Sequence, residues 1–242
     1  MTDDNLIVKP RSVATRGPLT AKQGRPALAR GRKRGRPKAG TDEPIDEARL
    51  LRAAFRAFAT YGYDASTMRA MARELGVSHN LLNVRFGRKS ELWKAAVDWR
   101  LVEAARDVEV AFSAGNGPED RLRDLIHRFC RWTIVNSDIV AVSQLEGRKQ
   151  SWRLDYLTTR FVRPFQQRLE ALLADVSRER PVASIGSGAL LALLVHGVGS
   201  YFALGPMHER LAPESGFASG TKLDLVAHAD VMAEFLIAGL LA

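Results

Sequence analysis

The chain has a single cysteine, Cys130, in 242 residues. One thiol excludes an internal disulfide and any zinc site built on paired cysteines, and it fits a reducing, intracellular home. Long hydrophobic runs are also missing. The nearest approach to the roughly 20 apolar residues that a bilayer span needs is GALLALLVHGVGSYFALG at 188–205, and His196, Gly197 and Gly199 interrupt it. It reads as a buried core or interface helix, and no membrane partner is expected. The stretch MTDDNLIVKP at 1–10 carries acids and no apolar h-region, so no secretory signal is read there. Period-two alternation bounded by hairpin turns is absent, which removes a β-sheet from consideration.

Catalytic signatures are lacking as well. Ser187 and Ser200 do not have the glycine two residues before that a nucleophile elbow requires. GSG at 186–188 and GVG at 197–199 have neither a third glycine nor a preceding strand, so neither forms a dinucleotide loop. Neither an enzyme nor a cofactor is expected. His127 and Cys130, three residues apart on one helix, make half a metal site with no second pair of ligands. A buried apolar face is the better reading there, and no metal is expected. His196 and His228 read as satisfied core histidines.

What the chain does have is an uneven charge. Residues 1–40 hold eleven Lys/Arg against two Asp/Glu, which accounts for the whole net charge of +9. The remaining residues balance. Charge segregated in this way suggests a basic arm for a polyanion on a neutral body, with nucleic acid the leading partner. The arm has almost no apolar periodicity and is predicted to be disordered in isolation.

Beyond the linker GTDEPIDEA (40–48) nearly everything reads helical. Pro44 and the acids Asp42, Glu43, Asp46 and Glu47 mark a helix start. Ala48, Leu51, Ala54, Phe55 and Phe58 form one face of the first helix, which Gly62 stops. Ser66 or Thr67 can cap a second helix, with Met68, Met71, Ala72 and Leu75 on one side, ending at Gly76. Ser78 can cap a short third helix through Phe86, and a long helix follows from about Ser90 to Ala111. Further helical segments are predicted near 118–136, 138–149, 152–178, 186–205 and 222–241. The last two are apolar nearly all round, so they pack in the interior or against another chain. The fold class is all-α.

The stretch STMRAMARELGVSHNLLNVRFGRKSELW (66–93) has the form of a helix-turn-helix. The first helix braces, and the second presents its N-terminal side chains to a major groove. Leu82 and Phe86 face inward, which leaves His79, Asn80 and Asn83 together outside. These side chains carry donors and acceptors suited to base edges.

Over about residues 45–95 the sequence resembles the TetR family of bacterial repressors. Ala53, Phe58, Gly62, Thr67, Ala72, Gly76, Val77, Ser78, Leu82, Phe86 and Lys89 lie in register. The resemblance implies base reading by His79, Asn80, Leu81 and Asn83, and backbone anchoring by Thr67, Arg69, Arg85 and Lys89. Two positions depart from the family pattern. Asn83 stands where tyrosine is usual, and Arg88 stands where a small capping residue is frequent, which moves the expected helix start to Ser90.

The resemblance divides the chain into a basic arm (1–44), a three-helix DNA-binding domain (45–95) and a larger helical regulatory and dimerisation domain (96–242). Within the arm, Arg32, Lys33, Arg34, Gly35, Arg36, Pro37 and Lys38 look like an AT-hook. Arginines are drawn into the narrow, negative minor groove of A·T-rich DNA. Glycine at the centre lets the backbone lie deep in that groove. Gly24-Arg25-Pro26 is a weaker copy. From Lys38 to Asp46 the chain reaches at most about 27 Å, enough to join an adjacent minor groove to the major groove.

In the regulatory domain, Trp132, Tyr156, Phe161 and Phe165 are candidates to line a ligand pocket. The last two helices suit a two-fold homodimer, which implies an inverted-repeat operator with A·T-rich flanks. The implied function is a cytoplasmic bacterial transcriptional regulator, a repressor released by a small apolar ligand. Two alternatives stand beside it. One is an architectural protein of A·T-rich DNA, and the other is a small-molecule-binding helical protein with a vestigial helix-turn-helix.

Overall fold

The computed structural model describes residues 46–113, 115–211 and 222–242. The AT-hook-like stretch, its weaker copy and the linker proline Pro44 lie outside the described residues. Helix α1 (Glu47–Ala65) opens with the Asp46 carboxylate accepting the Ala48 N–H at 3.1 Å. It buries Leu50, Leu51, Ala54, Phe55, Ala57 and Phe58, while Ala48 is only half-buried. At Gly62 the backbone flips to φ +76°, a conformation that glycine alone adopts cheaply, and one further turn follows to Ala65. Thr67 is the cap of α2 (Met68–Glu74), its Oγ1 accepting the Ala70 N–H. Ser66 is buried instead, and its hydroxyl donates back to Gly62 O at 2.7 Å.

Ser78 caps α3 (His79–Phe86) by accepting the Leu81 N–H at 3.1 Å. Helix α4 (Lys89–Glu109) begins one residue earlier than the sequence suggests. Arg88 provides no side-chain cap, yet its carbonyl accepts from both Glu91 and Leu92 and so starts the ladder. A 3₁₀ turn, Val110–Phe112, ends that helix.

The body follows with α5 (Pro118–Val135), α6 (Ser137–Glu146), α7 (Trp152–Leu157) and α8 (Arg163–Glu179). It continues with α9 (Ser187–Ala192), α10 (Gly199–Ala203), α11 (Gly205–Leu211) and α12 (Lys222–Leu240). Two segments that read as single helices each contain a π-helical turn. Between α7 and α8, the Arg163 N–H reaches back five residues to Thr158 O. Between α9 and α10, the Gly199 N–H does the same to Leu194 O. Helix α11 was not foreseen. The chain bends by 68° after Ala203, and Gly205-Pro206 starts a new helix because proline is suited to a first turn.

The described residues form one compact unit with two apolar cores. The first gathers α1–α4 and takes in Ile139 and Val142 of α6 and Leu157 of α7. The second joins α5, α8, α9, α10 and α12. Helix α10 lies so close to α6 that a Cβ on Gly199 would meet Val140 Cγ2 at 2.9 Å. Among the described residues there is no strand, and no single helix is long and apolar enough to cross a membrane.

Among the described residues the late helices keep apolar side chains exposed. Helix α12 buries Ala229, Ala233, Ile237 and Leu240, yet Val231 is 68% and Phe235 79% exposed. Leu193, Met207 and Leu211 are also exposed. Their all-round apolar pattern therefore leaves an uncovered hydrophobic face.

Cys130 sits in the second core with its thiol pushed up to about 12, chiefly by burial. Because the thiolate is the nucleophile, the native thiol should react with a disulfide reagent far more slowly than in guanidinium. Equal rates in native and denatured protein would show that the core opens freely.

Candidate nucleic-acid interface and ligand cavity

Helix α3 is short and held to the core by one fully buried side chain, Leu82, with Phe86 half-buried beside it. That leaves the opposite face to solvent. His79, Asn80 and Asn83 are all exposed, and Leu81 is half-buried. The Asn83 amide lies 3.2 Å from His79 Nδ1, so the two side chains are held together one turn apart. Val84 is 77% exposed on this helix, four residues after Asn80. The sequence reading passed over it. The available signal was an apolar residue at a position where the inward face was already filled by Leu82 and Phe86.

Around this face Thr67 and Arg69 are exposed. Arg85 reaches Glu47 at 3.1 Å, which ties the end of α3 to the start of α1. Lys89, expected at the DNA backbone, is also tied into the protein. Its ammonium donates to Tyr63 O at 2.8 Å and Ser66 O at 3.0 Å, and it lies 4.1 Å from the Tyr63 ring centroid. It therefore closes the end of α1, whose last carbonyls have no helical partner.

Behind the helix-turn-helix lies an aromatic and cationic cluster. Trp93 meets Trp152 and Tyr156 edge-on at 5.2 and 5.9 Å. Arg153 sits over Tyr63 and donates to the buried Glu146 at 2.7 Å. Tyr156 belongs here, not in a pocket. Its hydroxyl donates to Asp98 at 2.8 Å, and burial, followed by that bond, pushes its pKa up to about 12.

The body encloses a cavity of about 510 Å³, lined by α4, α5, α6, the α7–α8 segment and the α9–α10 segment. Trp132, Phe161 and Phe165 line it as the sequence suggested. Trp132 is anchored by donating to Ala104 O at 2.8 Å. Both π-helical turns contribute walls, Phe161 and Val162 from one and Val195 and His196 from the other. A π-turn widens a helix locally and is frequent at functional sites. Phe55 of α1, a member of the first core, also reaches the cavity. Nothing in the sequence pattern marks that contact, because Phe55 reads as an ordinary core residue.

The lining is mostly apolar, with Arg168 paired to Glu109 and Arg160 paired to Asp98 among its polar members. His196 is an exposed lining residue rather than a core histidine. His228 instead meets the Tyr201 hydroxyl through Nδ1 at 3.3 Å.

His127 does not sit on an apolar face. Its Nε2 meets Glu234 at 2.8 Å and its Nδ1 faces Asp230 at 3.5 Å, joining α5 to α12. Arg131 grips the same Asp230 through two bonds, at 2.6 and 2.8 Å, and that bonding is the main reason the Asp230 carboxyl is held below its ordinary value. Among the described residues no group of His, Cys, Asp or Glu is arranged to hold a metal ion.

Residues 50–96 match the model for bacterial regulatory proteins of the tetR family. An HTH-type transcriptional regulator BetI of Agrobacterium fabrum is 34% identical over 91 residues, 38% of this chain and 44% of that protein. A BetI of Brucella abortus is 36% identical over 90 residues, 37% of this chain and 45% of that protein. The match thus spans less than half the length of these curated relatives.

Solved structures share the fold over far more of the chain. Transcriptional regulator FadR from Bacillus subtilis, in complex with stearoyl-CoA, aligns over 80% of this chain and 99% of its own at TM-score 0.58 and 15% identity. The ketosteroid transcriptional regulator of Mycobacterium tuberculosis aligns over 80% and 94% at TM-score 0.60 and 16% identity. The TetR family regulator PfmR from Thermus thermophilus aligns over 79% and 98% at TM-score 0.59 and 20% identity. Residues 50–96 thus carry a helix-turn-helix domain similar to that of the tetR family of bacterial regulatory proteins, and the chain shares the all-α fold of these solved regulators.

Proposed function

We propose that the protein is a sequence-specific DNA-binding transcriptional repressor of the bacterial cytoplasm, acting as a homodimer and released by a small, largely apolar ligand. One observation carries this reading. A helix-turn-helix with an exposed His79–Asn80–Asn83 face shares a compact unit with an apolar cavity of about 510 Å³. Phe55 belongs to the head's core and to the cavity wall, so an occupant there bears directly on α1. A ligand regulates only if it binds one arrangement of the heads better than the other. One protein of the same fold is bound to stearoyl-CoA and another is named for ketosteroids, ligands with a large apolar part, which supports an effector that is apolar over much of its surface.

In this reading His79, Asn80, Leu81 and Asn83 read bases, and Val84 adds a contact to a thymine methyl group. Thr67, Arg69, Arg85 and Lys89 hold phosphates, and Lys89 also fixes the end of α1 through its bonds to Tyr63 O and Ser66 O. The uncovered apolar face of α9–α12 is the two-fold interface, and residues 96–242 are the regulatory domain. Arg32, Lys33, Arg34, Gly35, Arg36, Pro37 and Lys38 of the arm (1–44) enter an A·T-rich minor groove beside the operator.

A nuclease footprint on the DNA flanking the protein's own gene tests the whole reading. A dyad-symmetric site with protected A·T-rich flanks is the expected result. Diffuse protection would favour an architectural role, and no protection would leave a ligand-binding protein with an idle head. At finer scale, Asn80→Ala and Asn83→Ala should each relax preference at one or two base positions by about 1–3 kcal/mol. A uniform loss across all sequences would reduce these residues to backbone contacts.

A further inference from the structure

A second cleft, of about 450 Å³, opens where α1, α4 and the α5–α6 turn meet. It differs from the apolar cavity in kind, because Arg52, Arg56 and Arg100 converge on it beside the half-buried Trp99. Arg100 is already used. It grips Asp138 through two bonds, at 2.8 and 3.0 Å, and closes one end of the cleft. Arg52 and Arg56 are not used in this way. Among the described residues neither holds a carboxylate, and Arg52 lies 5.5 Å from the Trp99 ring centroid. Arg100, Arg160 and Arg168 of the body, by contrast, each have an acidic partner.

We infer that this cleft is a binding site for a small aromatic anion, a planar ring bearing a carboxylate or phosphate. The ring stacks on Trp99 and the Arg52 guanidinium, and the anionic group takes the forks of Arg52 and Arg56. A planar guanidinium matches both parts of such a ligand, since it stacks on aromatic faces and bonds carboxylates and phosphates through paired N–H groups. Glu103 on the rim carries a negative charge, which disfavours a second anionic group and selects a ligand with a single one. The occupant touches α1 on one wall and α4 with the α5–α6 turn on the others, so it acts as a wedge between reading head and body. This site shares Ala104 with the lining of the apolar cavity and no other residue, and its occupancy can be measured without any DNA.

The test is calorimetric titration of the full-length protein with salicylate, a planar aromatic carboxylate, at about 50 mM salt so that chloride competes little. Salicylamide, its uncharged analogue, is run in parallel. Saturable heat is expected for salicylate alone. Arg52→Gln and Arg56→Gln, both exposed substitutions, should each weaken it about tenfold, as loss of a charge-assisted bond implies. Ala105→Phe, which fills part of the apolar cavity, should leave the affinity unchanged. No saturable heat, equal binding of the amide, or wild-type affinity in both arginine variants would overturn the assignment. Loss of binding in Ala105→Phe alone would move the anion to the apolar cavity and overturn it equally.

Discussion

Replacing Arg153 by alanine should destabilise the protein by about 3–5 kcal/mol, the cost of leaving a buried charge without its partner. The side chains of Arg153 and Glu146 are 10% and 6% exposed, and Nε donates to Oε2 at 2.7 Å. The guanidinium also lies 4.4 Å from the Tyr63 ring centroid, so the same change removes a cation–aromatic contact. For a chain of this size the melting temperature should fall on the order of 10 °C. The pair itself is not expected to be worth that much. Taking two charges out of water offsets most of their attraction, so the double change Arg153→Met with Glu146→Leu should recover much of the loss. A melting temperature for Arg153→Ala within about 1 °C of wild type would mean that Glu146 finds water or another cation. The effect should also extend to DNA. Arg153 and Trp152 begin the segment that walls the cavity, and Tyr63 ends the helix that Lys89 closes. Loosening that joint should weaken operator binding in proportion to the fraction unfolded or misaligned.

The second large effect belongs to Leu82→Ala, which should cost about 2–5 kcal/mol through lost burial and the cavity left behind. Leu82 is the only fully buried side chain of α3. Eight residues are too few to hold a helix by local bonding, so α3 depends on this anchor for its shape as well as its position. The loss should therefore be felt most by the reading face. Operator affinity is expected to fall by more than tenfold even where most molecules remain folded, and amide exchange should accelerate over 79–86 before the body responds. Leu81→Ala is the matched control, because Leu81 is only half-buried and its removal should change stability by less than half as much. Uniform exchange across the chain in Leu82→Ala would show that α3 and the core melt as one unit.

The helix-turn-helix was legible in the residues because its signals are local. Thr67 and Ser78 satisfy N–H groups within three residues, and Gly76 takes φ +68° where other side chains are strained. Leu82 and Phe86 needed only helical spacing to be placed inward. The same logic found the helices of the body, α11 excepted, to within a few residues, and it chose Trp132, Phe161 and Phe165 as cavity wall. It failed where the deciding contact was distant. Tyr156 reads like Phe161, yet the Asp98 carboxylate and the Trp93 ring draw it into the joint behind the head. His127 was assigned to an apolar face because its partners, Asp230 and Glu234, come from a helix about a hundred residues later.

By itself, then, the sequence determined the all-α class, the helix-turn-helix and its exposed polar face, since periodicity, caps and turn glycines act over a few residues. Only the tertiary structure decided the two π-turns, the reach of Phe55 into the cavity and the convergence of Arg52, Arg56 and Trp99 on one cleft. Those features arise where helices far apart in the chain press together, and a spacing rule that looks along one helix has no access to what lies across from it.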